Sequence, residues 1–438
     1  MYSFLVFLFC ISVILVFIQN KHLSNNRYKK SNHYNGKVFF NISEDFKPKS
    51  FLDFLKWKIT SIKVYTDISF NWETYKRCFE SIVKFITKIL KSLIRGIKKA
   101  IKEPIKIFKE SKTFKGFIIS LAKFIIESIK KIHFSAFFLH VYNLVNIVFL
   151  SIKSLFAKFE YIENKNNDIP PAKIVDEDIY RLSFIGHSTF LLQVKGINII
   201  TDPVFSERSS PLSFFGPRRY RKPGIEFKNL PNIDLVLISH NHYDHMDMST
   251  IRALYEKSNP LFLVPLGNAA IIKSHLPNAK ITEMDWRDFI EYKDIKIHMI
   301  EARHWSSRFV FDENKALWGG FIVEKNDKQI CFMCDTGYDK DLFEGIASRF
   351  NNIILSMIPI GAYKPHWIMS DSHITPEEAV KCHIDLKSKK SVAMHFGTFK
   401  LADETFDEQV EDFNSAKDKY KTNEFEILDF GNFIKGDF

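Results

Sequence analysis

The chain has 438 residues, enough for one large domain and a substantial extra segment, and a net charge of +11. That charge is not shared evenly: residues 81–160 hold 16 Lys and Arg against 4 Asp and Glu, whereas residues 161–438 hold 34 against 41. A nucleic-acid role therefore gains nothing from the acidic C-terminal part, and five cysteines, an odd and sparse set, exclude a disulfide framework.

Residues 2–18 (YSFLVFLFCISVILVFI) carry no charge, and Lys21, Arg27, Lys29 and Lys30 follow them. Seventeen residues are at the short end of a bilayer-spanning helix. No basic segment precedes the run and no small-residue cleavage site follows it, so it reads as an uncleaved anchor rather than a signal peptide. The basic flank places the following chain on the cytoplasmic side. We therefore expect a single-pass membrane protein: an anchor at 1–30, a basic helical membrane-associated region at 31–165, and a catalytic domain at 166–438.

Within 79–101, Phe79, Ile82, Ile86, Ile89, Leu93 and Ile97 recur at helical spacing, with Lys84, Lys88, Lys91, Arg95 and Lys98 on another face. Such a helix suits an anionic membrane surface. A bundle with a solvated lysine face and a calmodulin-type target helix are the competing readings. Further helical stretches are expected at 114–132 and 134–152, the latter interrupted by His140, Asn143 and Asn146. Residues 160–171, polar and ending in Pro170-Pro171, read as a linker.

Beyond the linker, short apolar runs alternate with turns, and helical patterns appear near 249–257, 376–385 and 405–418. The texture is mixed α and β. The apolar run 235–239 leads into His240, Asn241, His242, Tyr243, Asp244 and His245. Imidazole and carboxylate both suit zinc. His240 and His242, two apart, can turn to one side of an extended backbone, and Asp244 and His245 can face a second metal. His304, Asp335 and His395 each follow a strand-like run, a shared position that raises all three as further ligands. Cys331 and Cys334 form a C-x-x-C on an expected strand, which turns them to opposite faces.

HNHYDH at 240–245 fits the His-x-His-x-Asp-His signature of the metallo-β-lactamase superfamily. GHSTFLLQ at 186–193, TDPVFSERSSP at 201–211, GPRRYRKP at 216–223, CDTGY at 334–338, IPIGAYKPHWIM at 358–369, HITPEEAV at 373–380 and MHFGTF at 394–399 narrow the likeness. Over about residues 180–405 the chain resembles the N-acyl-phosphatidylethanolamine-hydrolysing phospholipase D family. The resemblance implies an αβ/βα sandwich and two zinc ions, one on His240, His242 and His304, the other on Asp244, His245 and His395, with Asp335 between them. It implies a phospholipid substrate, cleaved to N-acylethanolamine and phosphatidic acid. It assigns Asp244 and His373 to catalysis and Tyr243 and Arg308 to the substrate side. Ser372 stands where that family has glutamine. Asp202 is either a partner holding an imidazole N–H or a turn residue before Pro203. Arg218, Arg219 and Arg221 could meet lipid phosphates or form a solvated turn. A lactonase or phosphodiesterase acting on a soluble substrate is the alternative activity.

Overall fold

The computed structural model describes residues 31–42, 53, 161–166, 168–174, 178–213, 216–308 and 312–438. The chain divides into two units, residues 1–61 with 160–438 and residues 62–159, and every described residue belongs to the first. The expected anchor at 1–30 and the expected helices at 79–152 lie outside the described residues. Among the described residues no helix is long and apolar enough to cross a membrane.

Two seven-stranded sheets form the body. The first has β1 (Ile179–Gly186), β2 (Thr189–Val194), β3 (Ile197–Thr201), β4 (Leu235–Leu237), β5 (Leu261–Pro265) and β6 (Lys280–Met284) side by side, closed by β14 (Phe433–Asp437) next to β1. The second runs from β7 (Phe289–Tyr292) through β8 (Ile295–Ile300), β9 (Gly320–Lys325), β10 (Lys328–Phe332), β11 (Ile353–Pro359) and β12 (Ser391–Met394) to β13 (Phe425–Glu426).

Strand parity sets the layers, because successive side chains point to opposite faces. Leu235 and Leu237 join the core shared with the second sheet, through Ile297, Phe321, Phe332 and Met357. Val236, between them, packs in a separate cluster with Ile251, Leu254 and Ile272. Those three belong to helices α1 (Met248–Ser258) and α2 (Ala269–Lys273) on the outer face of the first sheet. Phe343 and Ile346 of α3 (Lys340–Arg349) and Ala379 and Val380 of α5 (Pro376–Asp385) join the shared core. A short α4 (His366–Met369) precedes α5, and α6 (Phe406–Tyr420) packs beside it. The result is a sandwich of two sheets with helices on its faces, and it explains why inner strands such as β3, β4 and β12 read as largely apolar runs: both of their faces are buried.

The sheets also fix where the functional loops emerge. β1 and β3 both pair antiparallel with β2, and β3 pairs parallel with β4, so β1 and β4 point the same way. By the same logic β8 and β10 both pair antiparallel with β9, and β10, β11 and β12 run parallel. The C-terminal ends of β1 and β4 thus share one edge of the first sheet, and those of β8, β10 and β12 share one edge of the second.

The expected linker is not free. Asp168 is buried and pairs with the buried Arg181 at 2.6 Å, while its N–H donates to Gly224 O. Ile162 forms a β-bridge with Arg221, and Tyr161 donates to Glu207. Polar residues that look like punctuation in sequence are here partners for distant polar groups. Residues 31–42, grouped with the basic region in the sequence reading, also pack on this unit: Phe39 is 1% exposed and His33 lies 4.3 Å from the Trp286 ring.

Candidate metal centre

Each ligand-type residue follows a strand of the edge just described. His187 comes directly after β1, and His240, His242, Asp244 and His245 come on the loop after β4. His304 follows β8, Asp335 follows β10, and His395 comes directly after β12. Ligand atoms of His240, His242 and His304 lie within 4.8 Å of one another, and so do those of His187, Asp244, His245 and His395. Asp335 lies between the clusters. Its Oδ2 is 3.1 Å from His245 Nε2 and 2.9 Å from His395 Nε2, and the residue also groups with His304 and His373.

The first cluster is tight: His240 Nε2 is 2.8 Å and His304 Nε2 is 3.4 Å from His242 Nδ1. Partners outside the cluster fix the rings. Ser239 Oγ is 2.9 Å from His240 Nδ1, and Ser372 O is 2.9 Å from His304 Nδ1. The Ser372 contact is made by a backbone carbonyl, so serine in place of glutamine leaves it intact. Asp202, buried, meets His245 Nδ1 at 2.7 Å and accepts from Ser239 N at 2.7 Å. Of the two readings of Asp202, the imidazole partner is the one the structure shows.

Electrostatics divide the clusters. Burial holds His240 and His304 well below the usual histidine range and lowers His242 to about 4. Burial also works against protonation of His395, yet Asp335 and Asp244 outweigh it and raise its pKa to about 9. His245 is likewise held well above its usual value by Asp335, Asp244 and Asp202 against the effect of burial. Buried His242 Nε2 and Asp335 Oδ1 have no hydrogen-bond partner among the described residues. Converging imidazoles and carboxylates with orphaned donor atoms fit divalent cations of the zinc type.

A cation entering the second cluster must displace protons that a cation entering the first need not displace. Its affinity is expected to rise with pH through about 9, the range over which His395 gives up its proton, by about tenfold per pH unit per proton. First-cluster affinity should stay flat above the range where His242 titrates, about 4. Calorimetric titration with Zn²⁺ in buffers of different ionisation heat counts the protons released. Equal proton release at both clusters would contradict this division.

His373 sits two residues before Thr375, the N-cap of α5, with Nδ1 3.8 Å from Asp335 Oδ2. Burial lowers its pKa to about 4, so it is neutral at pH 7. Arg308 lies 4.0 Å above the Tyr243 ring and donates through Nη1 to Asn241 O and Met246 O, bracing the loop that carries the histidines. Arg219 does not face lipid phosphates. It is buried, and its guanidinium donates to the carbonyls of Val204, Ser206 and Arg221, which replace the water a charged group loses on burial. Arg218 instead pairs with Glu207 and Tyr161 at the surface.

His187 has no role among the sequence expectations, although the GHSTFLLQ stretch at 186–193 carries it. His187 Nε2 is 3.0 Å from Asp244 Oδ2, and its ring lies 4.2 Å from that of His395, tilted by 39°. The rule that singled out His304 and His395, a histidine just past a strand, finds it too.

A family model for the beta-lactamase superfamily domain matches residues 197–396. The chain belongs to the metallo-β-lactamase superfamily and is a metal-dependent hydrolase of that fold. Within the superfamily it resembles N-acyl-phosphatidylethanolamine-hydrolyzing phospholipase D 1 of Caenorhabditis elegans, with 31% identity over 284 residues, 61% of this chain and 80% of that protein. An uncharacterized protein of Mycobacterium tuberculosis is 38% identical over 252 residues, 55% of this chain and 67% of its own length. Among solved structures, the metallo hydrolase Igni18 of Ignicoccus hospitalis superposes with a TM-score of 0.45 at 20% identity, covering 59% of this chain and 99% of that one.

Proposed function

We propose that this chain is a zinc-dependent phosphodiesterase of the phospholipase D type that hydrolyses N-acyl-phosphatidylethanolamine. The observation that carries the proposal is the pair of ligand clusters with Asp335 between them, on a chain similar to a phospholipase of that specificity. His240, His242 and His304 would hold one cation, Asp244, His245 and His395 the other, with Asp335 shared. Cations at these positions would offset charge on phosphoryl oxygens and bring the pKa of a water toward 7.

The chain's own groups set the geometry around that chemistry. Asp202 and the Ser372 carbonyl hold two imidazoles with Nε2 turned inward. Neutral His373 donates an N–H to a phosphoryl oxygen or to the departing ethanolamine oxygen. Tyr243 and Arg308, stacked beside the histidine loop, wall the substrate side. In the net reaction the bond from phosphorus to the ethanolamine oxygen breaks, water oxygen joins phosphorus, and a proton passes to the leaving oxygen. The products are phosphatidic acid and an N-acylethanolamine.

The apolar run at 2–18 and the basic stretch at 81–160 support a membrane-bound enzyme with its catalytic unit on the cytoplasmic side, acting on lipid and not on nucleic acid. The test uses the full chain in vesicles containing N-acyl-phosphatidylethanolamine and H₂¹⁸O. Chelator-sensitive release of N-acylethanolamine, with the label in phosphatidic acid, is expected. A fully metal-loaded protein that leaves this lipid intact but hydrolyses a soluble lactone or phosphodiester would replace the proposal with the soluble-substrate alternative. Removing residues 1–30 is expected to shift the protein from the membrane to the soluble fraction, read by flotation.

A further inference from the structure

Residues 31–42 contain no candidate ligand, yet they end on one. They begin as a tight turn, with Tyr34 bridging Phe39 and the Asn35 carboxamide oxygen accepting from the N–H groups of Lys37 and Val38. After the turn the side chains alternate. Phe39, 1% exposed, and Asn41, 8% exposed, face inward, while Phe40 and Ile42 face out at 43% and 50%. Phe39 joins the shared core, and its N–H donates to Asn314 O at 2.7 Å.

Asn41 then makes a two-point contact with a residue 263 positions away. Its Nδ2 donates to His304 O at 2.9 Å, and His304 N donates to its Oδ1 at 3.1 Å. His304 lies in the irregular stretch 301–308, where no strand pairs with it. The carboxamide therefore supplies the donor and acceptor that a neighbouring strand would otherwise provide. Asn314 does the same for Ser306: Ser306 N donates to Asn314 Oδ1 at 3.1 Å and Asn314 N to Ser306 O at 2.8 Å. Phe39 is bonded to that same Asn314, so the segment and the His304 stretch form one continuous hydrogen-bonded unit.

We propose that Asn41 is a positioning residue of the metal centre: its side chain fixes the His304 main chain so that Nε2 meets the ligand atoms of His240 and His242. The inference rests on His304 holding a cation, as the proposed function requires. Asparagine suits the task because one planar group presents a donor and an acceptor 3 Å or so from a single residue's C=O and N–H. Aspartate would turn an acceptor toward the His304 carbonyl, and leucine would leave both His304 groups unpaired. Glutamine keeps the chemistry at the wrong reach.

The test compares full-length Asn41→Asp, Asn41→Leu and Asn41→Gln with wild type, using Lys37→Ala on the exposed turn as control. Co²⁺ binding is followed by chelator competition and by the visible absorption of the bound ion, and metal-free thermal stability is measured in parallel. The Asp and Leu variants are expected to lose about 10- to 100-fold affinity at the first cluster, as when outer partners of ligands are removed, with an altered Co²⁺ spectrum and the second cluster within about threefold. Wild-type affinity and an unchanged spectrum, with only metal-free stability lowered, would overturn the positioning role. Equal loss at both clusters would overturn it too. Where Asn41→Leu fails to fold, Asn41→Asp, nearly the same shape, decides. Failure of wild type to bind Co²⁺ would remove the proposed function itself, an outcome distinct from failure of this inference.

Discussion

Asp335→Asn is expected to yield a folded protein that has lost at least about 100-fold in affinity for the second cation, more than removal of an outer partner costs, and has no measurable hydrolysis. The carboxylate is 1% exposed and lies within 3.1 Å of both His245 Nε2 and His395 Nε2. Burial would raise its pKa, but those two histidines hold it well below the carboxylate range. Asparagine keeps the shape and removes the charge. It also offers an N–H₂ group to nitrogens that must themselves face a cation. The same change should lower the pKa of His395 from about 9, because Asp335 is the chief group raising it. Metal analysis after dialysis against a fixed chelator concentration and NMR titration of the histidines test both parts. Retention of both cations at wild-type affinity would show that Asp335 does not join the clusters.

Asp202→Ala should weaken both clusters at once, although Asp202 belongs to neither proposed ligand set. Its carboxylate meets His245 Nδ1 at 2.7 Å and Ser239 Oγ at 2.5 Å, and that hydroxyl is 2.9 Å from His240 Nδ1. One buried anion thus orients an imidazole in each cluster. Alanine leaves Ser239 N–H and His245 Nδ1–H buried without acceptors, at about 1–3 kcal/mol for each unsatisfied group. A loss of about 2–6 kcal/mol in metal-free stability is expected from these two groups, together with a 10- to 100-fold fall in affinity at each cluster. Denaturant unfolding and cation titration measure the two effects separately. A loss confined to His245's cluster would break the proposed link through Ser239.

Local signals were the legible ones. Thr375-Pro376-Glu377-Glu378 announces a capped helix start, and α5 begins there with Thr375 and Glu378 closing a capping box. Apolar runs mark the inner strands because both faces of those strands are buried, and the residues just beyond such runs include His304, Asp335 and His395. What stayed hidden depends on pairing across long stretches of chain. Asp168 reads as linker polarity until Arg181 is beside it. Arg219 reads as a surface cation until three carbonyls surround it. Asn41 has no sequence signature at all, since a lone asparagine after two phenylalanines acquires meaning only from a partner on a distant loop. Arg308 grips Asn241 O and Met246 O, main-chain contacts that no residue pattern encodes.

The order of the two units along the chain bears on how the protein can be taken apart. Residues 31–42 and the described residues from 161 onward belong to one unit. Residues 81–160 lie between Asn41 and His304 in the sequence, so no trimming from the N-terminus removes them while keeping Asn41. Only an internal excision would. A single proteolytic cut within 62–159 would turn the contact between Asn41 and His304 from an intramolecular one, favoured by a high effective concentration, into a bimolecular one that dilution can abolish. Cleavage far along the chain from every candidate ligand would then act on the ligand set itself.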